Sequence, residues 1–527
     1  MASRKVQLGQ FYTSRPIADF MVGLADTPTS STRALEPGIG AGVFLDALLD
    51  AGFKQPDGYD LDEGNVQAAQ QRFGAAAQVK HSDFLDVVAA GDYDLVIGNP
   101  PYVAWGNLDD RTRRRLLDDP FWKPLSNGQW DLLYAFIIWA AQQLRPGGQL
   151  IYIVPFNWFN STYAATLRDH LAKEGQFEDL IHFGEFKLFA DCYPNCLIFS
   201  WRKGAQPTRP FVVEYDGAKG PVQPVIDQLA DLYALRTNAA GYQHTDGLWS
   251  AFTQPQPQAG ELWYLASDAT RDRIDRLEAA CERQTLAGAA QIAVGMVSGR
   301  DSAYLTQPDS SHNEQERAAI AQFVKAKSLR PFAVDATQPM IFADHITDED
   351  MLRRQLPALH AHLSGHREAL EGRYLSAGKQ WWQWATVRNL DVVRDAQRSV
   401  IWVPCIDRSP VIRAARSQPG LLAGGDVLAI IARPDLPEDD RYLLGWLNSS
   451  AINNWYRVKG SRTGRRIRYT QAYMQHVPLR RIDFNDPAQV RCHDLICDAV
   501  SQAESGAINE QQARALIDEQ ITALLNS

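Results

Sequence analysis

With 527 residues, 45% hydrophobic and 22% charged, the chain is too long for one small domain and too apolar for a disordered protein. Its 53 basic and 62 acidic residues leave a formal charge of −9, which excludes a uniformly basic surface and makes local charge clusters the informative feature. The longest apolar run, 132–141, is 10 residues, about half of what a bilayer-spanning helix needs, and no apolar leader opens the chain.

A cytoplasmic protein without membrane contact is therefore expected. The six cysteines form no CxxC pair and read as reduced thiols rather than a disulfide framework. From residue 33 to about 201, short β-rich runs alternate with helical patterns, as in a mainly parallel α/β sheet. Runs fall at 33–36, closed by Pro37-Gly38, and then at 57–60, 93–98, 149–154 and 195–201. A helix is predicted over 131–144, stopped by Arg145-Pro146-Gly147-Gly148 and a turn. Gly- and Pro-rich stretches after Lys203 place a boundary in 205–225 and give two domains, 1–215 and 216–527. In the second, strands at 399–404 and 427–432 mix with helices such as 440–456, a mixed α+β region.

The turn after the first run holds Glu36, Pro37, Gly38, Ile39, Gly40, Ala41 and Gly42. Gly38 and Gly40 allow a tight turn and close approach of a ligand to the backbone. Asp60 ends the next run, where a carboxylate can accept hydrogen bonds from a ribose diol. These features predict a nucleoside site. The turn is not GxGxxG, and no GxxxxGK[ST] phosphate cradle occurs. Glu36 would repel a pyrophosphate but suits the positive charges of S-adenosylmethionine.

Asn99-Pro100-Pro101-Tyr102 follows the run at 93–98, at a strand's carboxyl end, where open α/β sheets bind ligands. Two prolines stiffen the turn, so the Asn99 side-chain oxygen and the Pro100 carbonyl stand as two fixed acceptors for a planar NH₂ group. Accepting both hydrogens favours a tetrahedral nitrogen whose lone pair can attack an electrophile. Tyr102 offers a ring for stacking.

With these motifs the chain resembles the amino-methylating DNA methyltransferases of adenine-N6 type, in the gamma order of cofactor motif, catalytic motif and target-recognition region. The resemblance implies a Rossmann-like, mainly parallel seven-stranded methyltransferase sheet followed by a DNA target-recognition domain. It implies that Tyr12 and Thr13, in Gln10-Phe11-Tyr12-Thr13, close over the methionine end of the cofactor. Glu36, Gly38, Gly40 and Asp60 would hold the rest, with Asp83 on the adenine amino group and Phe84 against the ring. Asn99, Pro100 and Tyr102 would be catalytic. Phe189 would pack on the flipped base, with Tyr193 close enough to compete. The expected reaction is direct in-line methyl transfer to adenine in double-stranded DNA, by a monomer protecting host DNA alongside a separate cognate restriction endonuclease. The first motif begins at about Gly9, so a fused nuclease is not expected.

Other clusters compete for attention. Pro404-Cys405 contains the dipeptide of covalent cytosine-C5 chemistry, but lies far from the sheet motifs. His360, His362 and His366 sit in an amphipathic helical pattern, and no metal site is expected. The run 109–115, with Arg111, Arg113, Arg114 and Arg115, reads equally as phosphate contact or salt-bridged helix. Residues 453–470 carry Arg457, Lys459, Arg462, Arg465, Arg466 and Arg468 without an acid, interleaved with Trp455, Tyr456 and Tyr469, and are the predicted DNA-binding stretch. Two alternatives remain open at this stage: an amino methyltransferase acting on RNA or a protein glutamine, and a noncatalytic DNA-binding subunit.

Overall fold

Alternate strand residues feed two different cores. In β5 (Leu144–Pro155), Leu150, Tyr152 and Val154 join one apolar cluster, while Ile151 and Ile153 join another. The same parity divides β7 (Cys196–Lys203): Leu197, Phe199 and Trp201 face one way, Cys196 and Ile198 the other. Two-sided burial of this kind is the mark of a sheet with helices on both faces. Helix Leu132–Gln143 packs on the first side, and helices Arg15–Gly23, Val43–Asp50 and Val222–Tyr233 on the second.

The computed structural model describes residues 13–126, 130–189, 195–204, 208–394, 396–409, 411–463 and 466–526, without the side chains of 462 and 463. The remaining strands of the first sheet are β1 (Ala34–Pro37), β2 (Asp57–Asp60), β3 (Gln78–His81), β4 (Tyr93–Gly98), β6 (Gly175–His182), β8 (Phe211–Tyr215), β9 (Gln243–Asp246) and β10 (Trp249–Thr253). Their order is β3-β2-β1-β4-β5-β7-β6-β8-β10-β9. Strands β1 to β5 run parallel, and β7 is inserted antiparallel between β5 and β6. The seven expected strands are thus present in a mainly parallel α/β sheet, extended by three more.

That extension moves the domain boundary. β8 lies parallel to β6 and β10 antiparallel to β8, so 211–253 complete the first sheet, and the first compact unit is Met1–Asp272 with Thr463–Arg465. The boundary expected at 215/216 instead falls inside the sheet, because the Gly- and Pro-rich segment around 217–221 is a connection within one unit. The turn expected at 145–148 is likewise absorbed into β5. Gly147 takes a left-handed φ of 82°, and the β4–β5 register slips between Tyr93 and Leu95. Helix Leu132–Gln143 is capped by Asp131, whose carboxylate accepts from the Leu133 N–H at 3.1 Å, and is buried nearly all round. Among the described residues no helix is long and apolar enough to cross a membrane.

One buried acid makes this unit sensitive to pH. Asp179 in β6 lies under Tyr233, whose hydroxyl donates to it at 3.2 Å, with Arg236 also at 3.2 Å. Burial outweighs these partners and pushes its carboxyl up to about 7. The folded chain therefore keeps this proton where the unfolded chain releases it, so the stability it adds is full below about pH 4 and is lost as pH rises towards 7. Asp179→Asn, which fixes the neutral shape, should gain thermal stability over the parent as pH rises from 5 to 8, by at most about 1.4 kcal/mol per pH unit. Parallel pH dependences of the two unfolding curves would refute this.

The second unit, Arg273–Arg462 with Arg466–Ser527, mixes strands and helices as expected. Strands Ala290–Val294, Val427–Ala432, Val400–Pro404 and Ala415–Ser417 form an antiparallel sheet in that order. The helix expected over 440–456 is two helices, Asp440–Asn448 and Ser450–Lys459. Ser449 is extended and caps the second through the Ile452 N–H, which breaks the run.

Candidate active site

β1, β2 and β4 end on one edge of the sheet, and their last residues carry the site. The glycine turn is tied to β2 at several points: the Gly38 and Ile39 N–H groups donate to the Tyr59 carbonyl at 2.8 and 3.0 Å, and the Gly40 N–H donates to Asp60 Oδ2 at 2.8 Å. Gly42 then caps helix Val43–Asp50 at φ 76°, where an added Cβ would stand 2.8 Å from the Phe73 ring. Only glycine fits there. Asp60 also accepts from the Asp62 N–H at 2.7 Å and from Asn65 Nδ2 at 3.2 Å. Three of the roughly four lone-pair directions of this carboxylate thus brace the loop.

Glu36 is 1% exposed and accepts from the Leu45 N–H at 3.1 Å. Burial pushes its carboxyl well above the usual range, Asp60 and Asp46 add to this, and the Leu45 hydrogen bond opposes it. No cation pairs with Glu36 among the described residues. A buried acid without a cation, beside Gly38 where a Cβ would meet nothing within 4 Å, fits a small cationic ligand held against the turn. That is what a nucleoside sulfonium offers.

The Asn-Pro-Pro-Tyr turn stands next to this acid. Ala34 and Leu35 pair with Leu95 and Val96, and a Cβ built on Gly98 would lie 3.8 Å from Glu36 Cγ. Asn99 follows directly. Its Nδ2 donates to Thr13 Oγ1 at 3.2 Å, so Thr13 reaches the Asn99 side chain. Its Oδ1, expected to be an open acceptor, takes the Tyr102 hydroxyl hydrogen bond; the same hydroxyl lies 2.8 Å from the Ile153 carbonyl on β5. A hydroxyl has a single hydrogen, so turning it to Ile153 frees Asn99 for another donor. Tyr12 and the competing Tyr193 lie outside the described residues.

Two expected ring contacts are not open. Phe84 is buried against Phe136 at a centroid distance of 5.3 Å. Phe189 is 3% exposed and clusters with Phe183, Phe186 and Leu188 in the core, so the described structure gives it no free face for a base. Asp83 caps the short turn Phe84–Asp86 through the Leu85 N–H at 3.0 Å and pairs with Arg115 at 3.1 Å. Arg115 and Asn65 are partners that the motifs alone did not single out. Arg115 was at least visible as one of four arginines.

The basic stretch divides. Arg457, Arg466 and Arg468 are exposed and have no acidic partner among the described residues. Lys459 is paired with Glu278 at 2.6 Å, which also accepts from Trp455 Nε1 at 2.7 Å. The aromatic residues expected to interleave with nucleic acid, Trp455, Tyr456 and Tyr469, are core residues. The Arg462 side chain and Arg465 lie outside the described residues. In the same unit, burial pushes the Cys405 thiol up to about 11, the wrong direction for a thiolate nucleophile. His360 meets Glu349 at 3.2 Å and His362 the Ala303 carbonyl at 3.1 Å, so both rings are satisfied by the fold.

The strand order with an inserted antiparallel β7, the glycine turn braced by Asp60, and the buried Glu36 beside an Asn-Pro-Pro-Tyr corner together define an S-adenosylmethionine-dependent methyltransferase. Comparison with known proteins narrows this. Residues 51–189 match the Eco57I restriction-modification methylase family. Type II methyltransferase M.HindII of Haemophilus influenzae is 28% identical over 519 residues, covering 94% of both chains. Type II methyltransferase M.MjaIV of Methanocaldococcus jannaschii is 32% identical over 242 residues, 45% of this chain and 80% of its own. The type IIL restriction-modification enzyme MmeI, solved in complex with DNA, shares the fold with a TM-score of 0.65 at 12% identity, over 97% of this chain and 72% of its own. The chain belongs to the type II restriction-modification methyltransferases, DNA-modifying enzymes with S-adenosylmethionine as cofactor.

Proposed function

We propose that the enzyme methylates the N6 amino group of an adenine extruded from double-stranded DNA, acting as a monomer in the cytoplasm and protecting host DNA from a separate cognate restriction endonuclease. The observation that carries the reading is the Asn99 corner, held by Thr13 and Tyr102 one strand from the buried Glu36. S-adenosylmethionine supplies an electrophilic methyl on a sulfonium. Asn99 Oδ1 and the Pro100 carbonyl accept the two amine hydrogens, so the nitrogen lone pair projects towards the methyl. The N–C bond forms as the C–S pair stays on sulfur, and one amine proton leaves to water. Glu36 and the glycine turn hold the cofactor end, with Tyr12 proposed to close over it. Extruding the base costs a few kcal/mol, and Tyr102 offers the ring that receives it once its hydroxyl turns to Ile153.

The test is to methylate a mixed-sequence plasmid and digest it to nucleosides. N6-methyl-2′-deoxyadenosine is expected. N4-methylcytosine, or transfer to ribosomal RNA or protein in place of the plasmid, would overturn the reading.

For duplex contacts the exposed Arg457, Arg466 and Arg468 are the supported residues. Replacing all three by alanine should weaken plasmid binding about 10- to 100-fold at moderate salt and flatten the salt dependence of log K by about three units of slope. An unchanged slope in fluorescence-anisotropy titrations would remove them from the phosphate contacts.

A further inference from the structure

Three of the four arginines behind the Asn-Pro-Pro-Tyr turn are paired within their own unit. Helix Asp110–Asp118 begins at Asp109, whose carboxylate accepts from the Thr112 N–H at 2.9 Å and hydroxyl at 2.8 Å. Arg113 turns back to Asp110 at 3.3 Å and to the Gly106 carbonyl at 3.0 Å. Arg111 reaches Asp86 at 2.7 Å. Arg115, its side chain 13% exposed, binds two acids at once: Asp83 at 3.1 Å through Nη1, and Asp86 through Nη2. The run therefore reads as a salt-bridged helix, and one of its bridges ends on a residue of the cofactor site.

We infer that Arg115 is the positioning residue of the cofactor's adenine subsite; this rests on the expected contact of Asp83 with the adenine amino group. The Leu85 N–H fixes Asp83 Oδ1 and the guanidinium fixes Oδ2, so the carboxylate plane is held from both ends. Held in this way, Asp83 presents its remaining lone pairs in one direction. A carboxylate only accepts hydrogen bonds, so it takes a hydrogen from a 6-amino purine and repels the carbonyl of a 6-oxo purine. Asp86 completes the clamp by occupying the other guanidinium nitrogen, which stops Arg115 from rotating away. The same helix follows the catalytic turn, so the ion pair also ties adenine recognition to the segment that leaves Tyr102.

The prediction concerns ligand discrimination, which a merely structural ion pair would not move. The full-length enzyme, Arg115→Met, Arg115→Lys, Arg111→Met and Asp83→Ala are titrated calorimetrically with S-adenosylhomocysteine and with its 6-oxo, inosine-based counterpart. Arg115→Met should weaken the adenosine ligand about tenfold, in line with one charge-assisted hydrogen bond, and shrink the amino-over-oxo preference by a similar factor. Arg115→Lys should restore part of both. Arg111→Met, which touches only the more exposed Asp86, should change neither. In steady state the Arg115→Met cofactor KM should rise with kcat within about threefold. Equal weakening of both ligands, or an unchanged preference, overturns the inference. If Asp83→Ala also leaves the preference intact, the contact assigned to Asp83 fails with it. If Asp83→Ala abolishes the preference while Arg115→Met does not, only the role of Arg115 falls.

Discussion

Asn99→Ala should lower methyl-transfer turnover about 100- to 1000-fold while cofactor affinity stays within about threefold. The size follows from removing one preorganised acceptor at the point where charge develops on the nitrogen, as with single oxyanion-hole deletions. The separation of effects follows from geometry. Asn99 bonds Thr13 and Tyr102, whereas Asp60 accepts from Gly40 and Glu36 from Leu45, the residues proposed to hold the cofactor. Single-turnover transfer to plasmid, measured beside calorimetric titration of S-adenosylhomocysteine, reads the two effects independently. A rate near the parent's would remove Asn99 from the chemistry.

The second large effect belongs to Asp60. Asp60→Ala should weaken cofactor binding about 100-fold, more than the loss of a single ligand contact would cost. Its carboxylate braces the Gly40 N–H, the Asp62 N–H and Asn65, so the substitution also releases the glycine turn. Asp60→Asn keeps an acceptor for one of these donors and should recover about tenfold of the loss. The measurement is the same titration, with amide hydrogen exchange at Gly40 as the structural readout. Protected Gly40 in the alanine variant would show that the loop does not depend on this side chain.

The parts of the fold that are legible in the sequence are those whose signal is local. The runs at 57–60 and 93–98 coincide with β2 and β4, since each is bounded by turn residues and buried along its length. β3 and β6 escape the reading because Gln78–His81 is mostly exposed and Gly175–His182 carries acids and a histidine among its apolar residues. The boundary at 215 misreads a connection within one unit as a linker; what keeps 211–253 in the first unit is pairing with β6, which no local composition reports. Asn99, Asp60 and Glu36 stand out in the sequence because glycine and proline punctuate their positions. The Asp83–Arg115 bridge joins residues from separate elements and leaves no spacing signature. In the basic stretch, charge alone could not separate Arg457, Arg466 and Arg468 from Lys459, whose partner Glu278 is remote in sequence.

Among the described residues the ten-strand sheet is open at both ends, and β3 and β9 are its margins. Each margin leaves a row of backbone donors and acceptors that another chain could in principle zip onto. Both strands are only four residues long, and their side chains, Gln78-Val79-Lys80-His81 and Gln243-His244-Thr245-Asp246, are mostly polar or charged and face solvent. Self-templated fibre growth from either margin is thereby discouraged, so a wide sheet can be kept dispersed without closing into a barrel.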